Sequence, residues 1–71
     1  MTPTAGLELT HSFLIVAEEL NFRRAAERLN VDQSVLSRRV QKLEHYVGFL
    51  LFERTTREVS LTPAGQAFYK A

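Results

Sequence analysis

Seventy-one residues with nine Lys and Arg, eight Asp and Glu, two His and no Cys leave room for one small domain and exclude a disulfide frame or a thiolate metal site. Hydrophobic residues at 45 % are ordinary globular content, no apolar run is long enough to span a bilayer, and Met1 to Gly6 lack the basic flank and apolar stretch of a signal peptide. A net charge of +1, taken as a bulk number, points to no partner.

Met1 to Gly6 hold Pro3 and Gly6 and no periodicity, and read as a short mobile lead-in. Leu9, Phe13, Val16, Ala17 and Leu20 then recur at helical spacing, with Glu8, Ser12, Glu18 and Glu19 as the polar remainder. Asn21 both ends this helix and caps the next. The second helix is short. Phe22, Ala25, Ala26 and Leu29 form its inner face, and the small alanines allow another helix to approach closely. Arg23, Arg24, Glu27 and Arg28 face outward, and Asn30 suits the left-handed conformation that ends a helix.

Asp32 is the N-cap expected for a third helix, with Val31 and Leu36 spaced for a hydrophobic staple. Leu36, Val40, Leu43 and Val47 make a narrow apolar stripe. Ser34, Arg38, Gln41, Lys42 and His45 occupy the opposite side, Ser37 lies on its flank, and Gly48 stops the helix. Phe49-Leu50-Leu51-Phe52 reads as a strand ending at Glu53-Arg54. A polar turn runs from Arg54 to Glu58, and Val59-Ser60-Leu61 alternates like a half-buried strand. Thr62-Pro63 opens a last helix with Ala64, Ala67, Phe68 and Ala71 on one side. The chain stops inside that pattern, so it reads as a piece of something longer.

Two helices joined by a tight turn form a helix-turn-helix, and a hairpin behind them is a wing. The fold class expected is mainly α with a small β-hairpin: a three-helix core, a two-stranded wing and the start of a further helix. Gln33 and Ser34 lie in the first turn of the recognition helix, the part that reaches base edges in a major groove. Gln pairs with adenine in bidentate fashion, Ser contacts bases or phosphate, and Arg38 forks onto guanine or clamps a phosphate. Gln41 and Lys42 extend the same face. Arg54 and Arg57 at the wing tip reach a minor groove or its phosphates.

Each of these residues also has a plainer reading. Arg38 and Lys42 are consistent with a solvated helix face, Gln33 with an ordinary first-turn residue, and Arg54 and Arg57 with a turn paired to Glu53 and Glu58. Arg23 and Arg24 have Glu27 within helical pairing distance. His11 and His45 read as surface residues, and Ser37, His45 and Asp32 on one short helix make no catalytic triad, so no enzyme is expected.

The ordered strings also carry a resemblance. They are Phe13 to Glu18, Asn21 to Leu29, Gln33 to Arg38, Leu43-Glu44, Val47-Gly48, Leu51 to Thr55 and Leu61 to Gly65. Together, from Leu7 to the last residue, they resemble the LysR-type transcriptional regulators. That resemblance implies an N-terminal winged helix-turn-helix, a dimerising linker helix and a C-terminal domain sensing a small molecule. The division it implies here is residues 1–62 as the DNA-binding domain and 63–71 as the beginning of a truncated linker helix. It places the major-groove readers on Gln33, Ser34, Ser37 and Arg38, the wing arginine on Arg57 with Arg54 as the other basic wing position, and phosphate contacts near Arg23 and Arg24. The chain departs from the family at Arg23, where Ser or Thr is usual, at Ser34, where Pro or Ala is common, at Asp32, where Ser is frequent, and in a wing turn without glycine.

The partners implied are double-stranded DNA with a dyad-symmetric operator, half-sites about one helical turn or a multiple apart, and a second copy joined through the linker helix. No cofactor belongs to this stretch. A small-molecule effector is expected only for the C-terminal domain, no membrane is involved, and the location expected is cytoplasmic. The alternative is a winged helix used only for protein contacts. The charge distribution favours DNA: Arg23 to Arg57 carry eight basic and four acidic residues, a balance of +4, and the remainder carries −3.

Overall fold

The computed structural model describes residues 3–55 and 58–70, with side chains from Glu8 onward among them. In chain order the elements are α1 (Pro3–Glu19), α2 (Phe22–Leu29), α3 (Gln33–Val47), β1 (Phe52–Arg54), β2 (Val59–Leu61) and α4 (Pro63–Lys70). This is the mainly helical architecture with one hairpin that the sequence patterns predict.

α1 begins earlier than expected. Pro3 to Gly6 are helical rather than a lead-in, and Met1 and Thr2 lie outside the described residues. A proline at the first helical position forfeits no intrahelical bond, and one helical glycine costs only about 1 kcal/mol, so neither residue excludes a helix there. The buried face of α1 is also broader than the stripe read from the sequence. Ser12 and Ile15 are buried alongside Leu9, Phe13, Val16 and Ala17, because α1 packs against both α2 and α3. Leu20 leaves that face altogether. It is 44 % exposed, has φ 49°, and donates its N–H to the Val16 carbonyl at 2.6 Å. A leucine thus makes the helix-ending turn that glycine or asparagine usually makes, and Asn21 serves only as the cap of α2.

The junctions around α2 follow their polar residues. The Asn21 side chain accepts the Arg24 N–H at 2.9 Å. Asn30 adopts φ 56°, ψ 46°, and its N–H and that of Val31 return to the last carbonyls of α2. Asp32 occupies the N-cap of α3 with extended backbone, but its side chain makes no capping bond. Val31 and Leu36 both join the core, as a staple requires. At the outer corner Arg28 binds Glu18 at 2.8 Å and Glu19 at 3.0 Å, tying the end of α2 to the end of α1. These hydrogen bonds, Glu18's first, push the guanidinium pKa up from its ordinary value.

Phe13 is the centre of the core. Its ring lies 5.4 Å from Phe52 of β1 and 5.1 Å from Phe68 of α4, so one fully buried side chain joins helix, wing and final helix. The wing is antiparallel, with Phe52 opposite Leu61, Glu53 opposite Ser60 and Arg54 opposite Val59. Its first strand is shorter than expected. Phe49 and Leu50 are outside it and exposed, whereas Arg54 is a strand residue rather than part of the turn. The cause is Glu44 on α3. Its carboxylate accepts the N–H of Leu51 at 2.8 Å and of Phe52 at 3.3 Å, which fixes where the chain turns inward.

Thr62 closes the wing onto α4. Its hydroxyl donates to the Leu50 carbonyl at 2.6 Å and accepts the Gly65 N–H at 2.9 Å, the N-cap role read from the sequence. Gly65 is buried, and a Cβ there would strike the Leu51 carbonyl oxygen and come within 3.1 Å of the Leu61 side chain. Its smallness is what allows α4 to lie on the wing.

Candidate nucleic-acid interface

Successive residues of α3 are about 100° apart around its axis. Leu36, Val40 and Leu43 point inward and are buried. Ser34, Arg38 and Gln41 therefore point outward, and all three are exposed. Gln33 and Ser37 lie on the flank turned to the wing. Lys42, Val35 and Arg39 lie on the opposite flank.

On the wing side, Gln33, Ser37, Arg54 and Thr55 line one open groove with Asn21 and Arg23 at the start of α2. The structure thus brings Gln33, Ser37, Arg54 and Arg23 together. On the other side, Arg38 and Lys42 share a second groove with Arg39 and Glu8. Gln41 lies away from both, toward His45 and Gly48 near the end of α3. Arg24 is exposed on the first turn of α2, one residue beyond Arg23. Arg57 and its neighbour Thr56 lie outside the described residues.

Arg54 differs from its expected place. It does not extend from the wing tip: its Nη1 donates to Ser37 Oγ at 3.1 Å, and its guanidinium carbon lies 4.0 Å above the centre of the Phe22 ring. The pairing of Arg54 with Glu53 or Glu58 does not form among the described residues, nor does pairing of Arg23 or Arg24 with Glu27. The reason is geometric. Glu53 is adjacent to Arg54 along the strand and alternates to the other face, whereas Phe22 and Ser37 lie under it.

Among the described residues the ion pairs involve only Arg28 and Arg39. Arg23, Arg24, Arg38 and Lys42 make no ion pair among the described residues, although Glu58 lines the groove of Arg23 and Glu8 that of Arg38 and Lys42. Polar hydrogen-bonding side chains at the helix start, with cations on either side, can recognise base edges and grip phosphates. The same surface offers little else. No group of three His, Cys, Asp or Glu is placed to hold a metal among the described residues. Ser37 Oγ is engaged by Arg54 rather than by a histidine. No described helix is long and apolar enough to cross a membrane.

Sequence reasoning missed two residues that shape this surface. Glu44, which anchors the wing, stood in the motif strings without an assigned task. Arg39, which reaches Ser12 and Glu8 on α1, falls one position off the outward face and carried no signal of its own.

Residues 7–66 match the family model described as bacterial regulatory helix-turn-helix protein, lysR family. The uncharacterized HTH-type transcriptional regulator YnfL of Escherichia coli (strain K12) is 52 % identical over 65 residues, covering 89 % of this chain and 22 % of YnfL. AlsR of Bacillus subtilis (strain 168), also an HTH-type transcriptional regulator, is 50 % identical over 64 residues, 87 % of this chain and 21 % of AlsR. The chain thus spans about a fifth of the length of these curated relatives. Among solved structures, a BenM DNA-binding domain in complex with catB site 1 DNA superposes with a TM-score of 0.86 at 42 % identity, over 90 % of this chain and 72 % of that one. Full-length CbnR complexed with its target DNA gives 0.85 at 41 % identity, over 89 % of this chain and 22 % of that one.

Proposed function

The chain belongs to the lysR family of bacterial regulatory helix-turn-helix proteins and is a winged helix-turn-helix DNA-binding domain of that family; from that premise we propose how it engages DNA and what it serves. α3 enters the major groove. Gln33 and Ser34 meet base edges, Arg38 meets guanine or phosphate, and Gln41 and Lys42 follow the groove. Arg23 and Arg24 hold phosphates at the start of α2. The wing lies over the neighbouring minor groove, with Arg57 as its contact; Arg54, exposed on the wing-side groove, braces the wing through Ser37 and Phe22 and turns its remaining donors to the DNA, while Ser37 divides its hydroxyl between Arg54 and the DNA. The observation that carries this reading is the outward face of α3, exposed and bordered by Arg23, Arg24 and Lys42, which make no ion pair among the described residues.

The whole protein is a cytoplasmic, non-catalytic transcription regulator that reads a two-fold symmetric operator. Residues 1–62 form its reading head, and 63–71 begin the helix through which two copies associate. A small-molecule effector acts on a domain outside this chain, and the reading head needs no cofactor. A DNA titration at two salt concentrations tests the proposal. Affinity falls steeply as salt rises if phosphates are bound, because condensed counterions are released. Binding that ignores salt, or no binding at low salt, overturns it.

A further inference from the structure

We infer that the flank of α3 facing α1 is a second phosphate-binding groove, in which Arg39 exchanges Glu8 for a phosphodiester of the DNA strand opposite the wing. This rests on the DNA-binding reading above and adds a residue and a mechanism to it.

Arg39 is only 28 % exposed at its side chain. It donates to Ser12 Oγ at 3.5 Å and lies 3.6 Å from the Glu8 carboxylate, which is 52 % exposed. Leu9 and Val35 floor the groove between them, and Arg38 and Lys42 stand at its rim. Three cations therefore converge on one open groove that holds a single carboxylate. Ser12 is buried and comes from a different helix, so its long contact with Arg39 draws the guanidinium to the α1 side of the groove.

The location suits a phosphate. A helix with its side chains is roughly 10–12 Å across, and the major groove is about 12 Å wide. A recognition helix that fills the groove puts both flanks beside phosphate walls. The flank of Gln33 and Ser37 has the wing. Among the described residues, the opposite flank offers Arg39, Lys42 and Glu8, with Arg38 at its rim, to meet the other strand. The Arg39–Glu8 pair is long and partly solvated, the kind of ion pair that contributes little. A phosphodiester accepts from a guanidinium through two oxygens, as a carboxylate does, so the exchange loses no hydrogen-bonding capacity. Glu8 then acts as a built-in competitor that weakens binding to every DNA sequence alike.

The test uses the full chain, a labelled duplex of random sequence and a salt series. Folding of each variant is checked by circular dichroism and thermal melting. Arg39→Gln should weaken binding and lower the slope of log affinity against log salt by about 1, the signature of one lost phosphate contact. Glu8→Gln should tighten binding severalfold, and that gain should disappear when Arg39→Gln is also present. Arg39→Lys, which keeps the charge, should retain the slope. If Arg39 only ties α1 to α3, both single variants lower the melting temperature, the salt slope stays at its original value and Glu8→Gln brings no gain; that result overturns the groove and leaves the DNA reading intact. Absence of salt-dependent binding by the unsubstituted chain overturns both.

Discussion

Gln33 and Arg54 show how differently two polar residues on one groove act. Gln33 is exposed in the first turn of α3, and its proposed role is to meet a base. Gln33→Ala should cost about 1–3 kcal/mol on a specific operator and relax discrimination at one base pair. Competition binding against operators altered one pair at a time reads this out; an equal loss on specific and random DNA would remove Gln33 from base reading. Arg54 is exposed on the same groove but braced by Ser37 and Phe22, so it also contributes to the protein itself. Arg54→Ala should lower stability by about 1 kcal/mol through the lost cation–π contact and speed amide exchange in β1 and β2. Unchanged unfolding and exchange would show that the bridge carries no weight in solution. The difference between these two residues was not legible in the sequence. Capping and local spacing put Gln33 in the first turn of the recognition helix, but only the fold brings residue 54 over residues 22 and 37. Ser12 was misread for the same reason: a serine among polar neighbours gives no sign that a second helix will cover it.

Among the elements, the apolar stripes of α2 and α3 and the caps at Asn21, Asn30 and Thr62 are local in origin, and each was readable from spacing and residue type. The ends that were misread depend on distant partners. β1 starts at Phe52 because Glu44 captures two amide groups from seven and eight residues away. α1 stops at Glu19 because Leu20 accepts a conformation that its own preferences oppose. Gly65 is the most sensitive position in this layer. It sits on the first turn of α4 against the Leu51 carbonyl, and that neighbour is backbone, unable to move aside alone. Gly65→Ala should destabilise the chain by about 1–3 kcal/mol, the usual cost of overpacking, despite alanine's better helix propensity. Urea unfolding measures it, and a neutral or stabilising effect would mean that α4 is not seated on the wing as described.

At the scale of the molecule, charge is sorted rather than balanced. Glu18 and Glu19 are occupied by Arg28 at the corner of α1 and α2, away from the outward face of α3. The cations that make no ion pair among the described residues collect around the recognition helix, so a bulk charge of +1 conceals a polarised surface. That polarity was visible in the sequence as a count. Its division into a wing-side groove and an α1-side groove was not, because it depends on which flank of α3 each residue occupies. On the proposed function, this surface reads one DNA site through the major groove. Footprinting of the full-length protein on the DNA next to its own gene tests it most directly. Discrete protected segments related by two-fold symmetry are expected, with centres about one helical turn or a multiple apart, and that pattern should be lost with Gln33→Ala. Uniform protection along the fragment, or none at low salt, would contradict it.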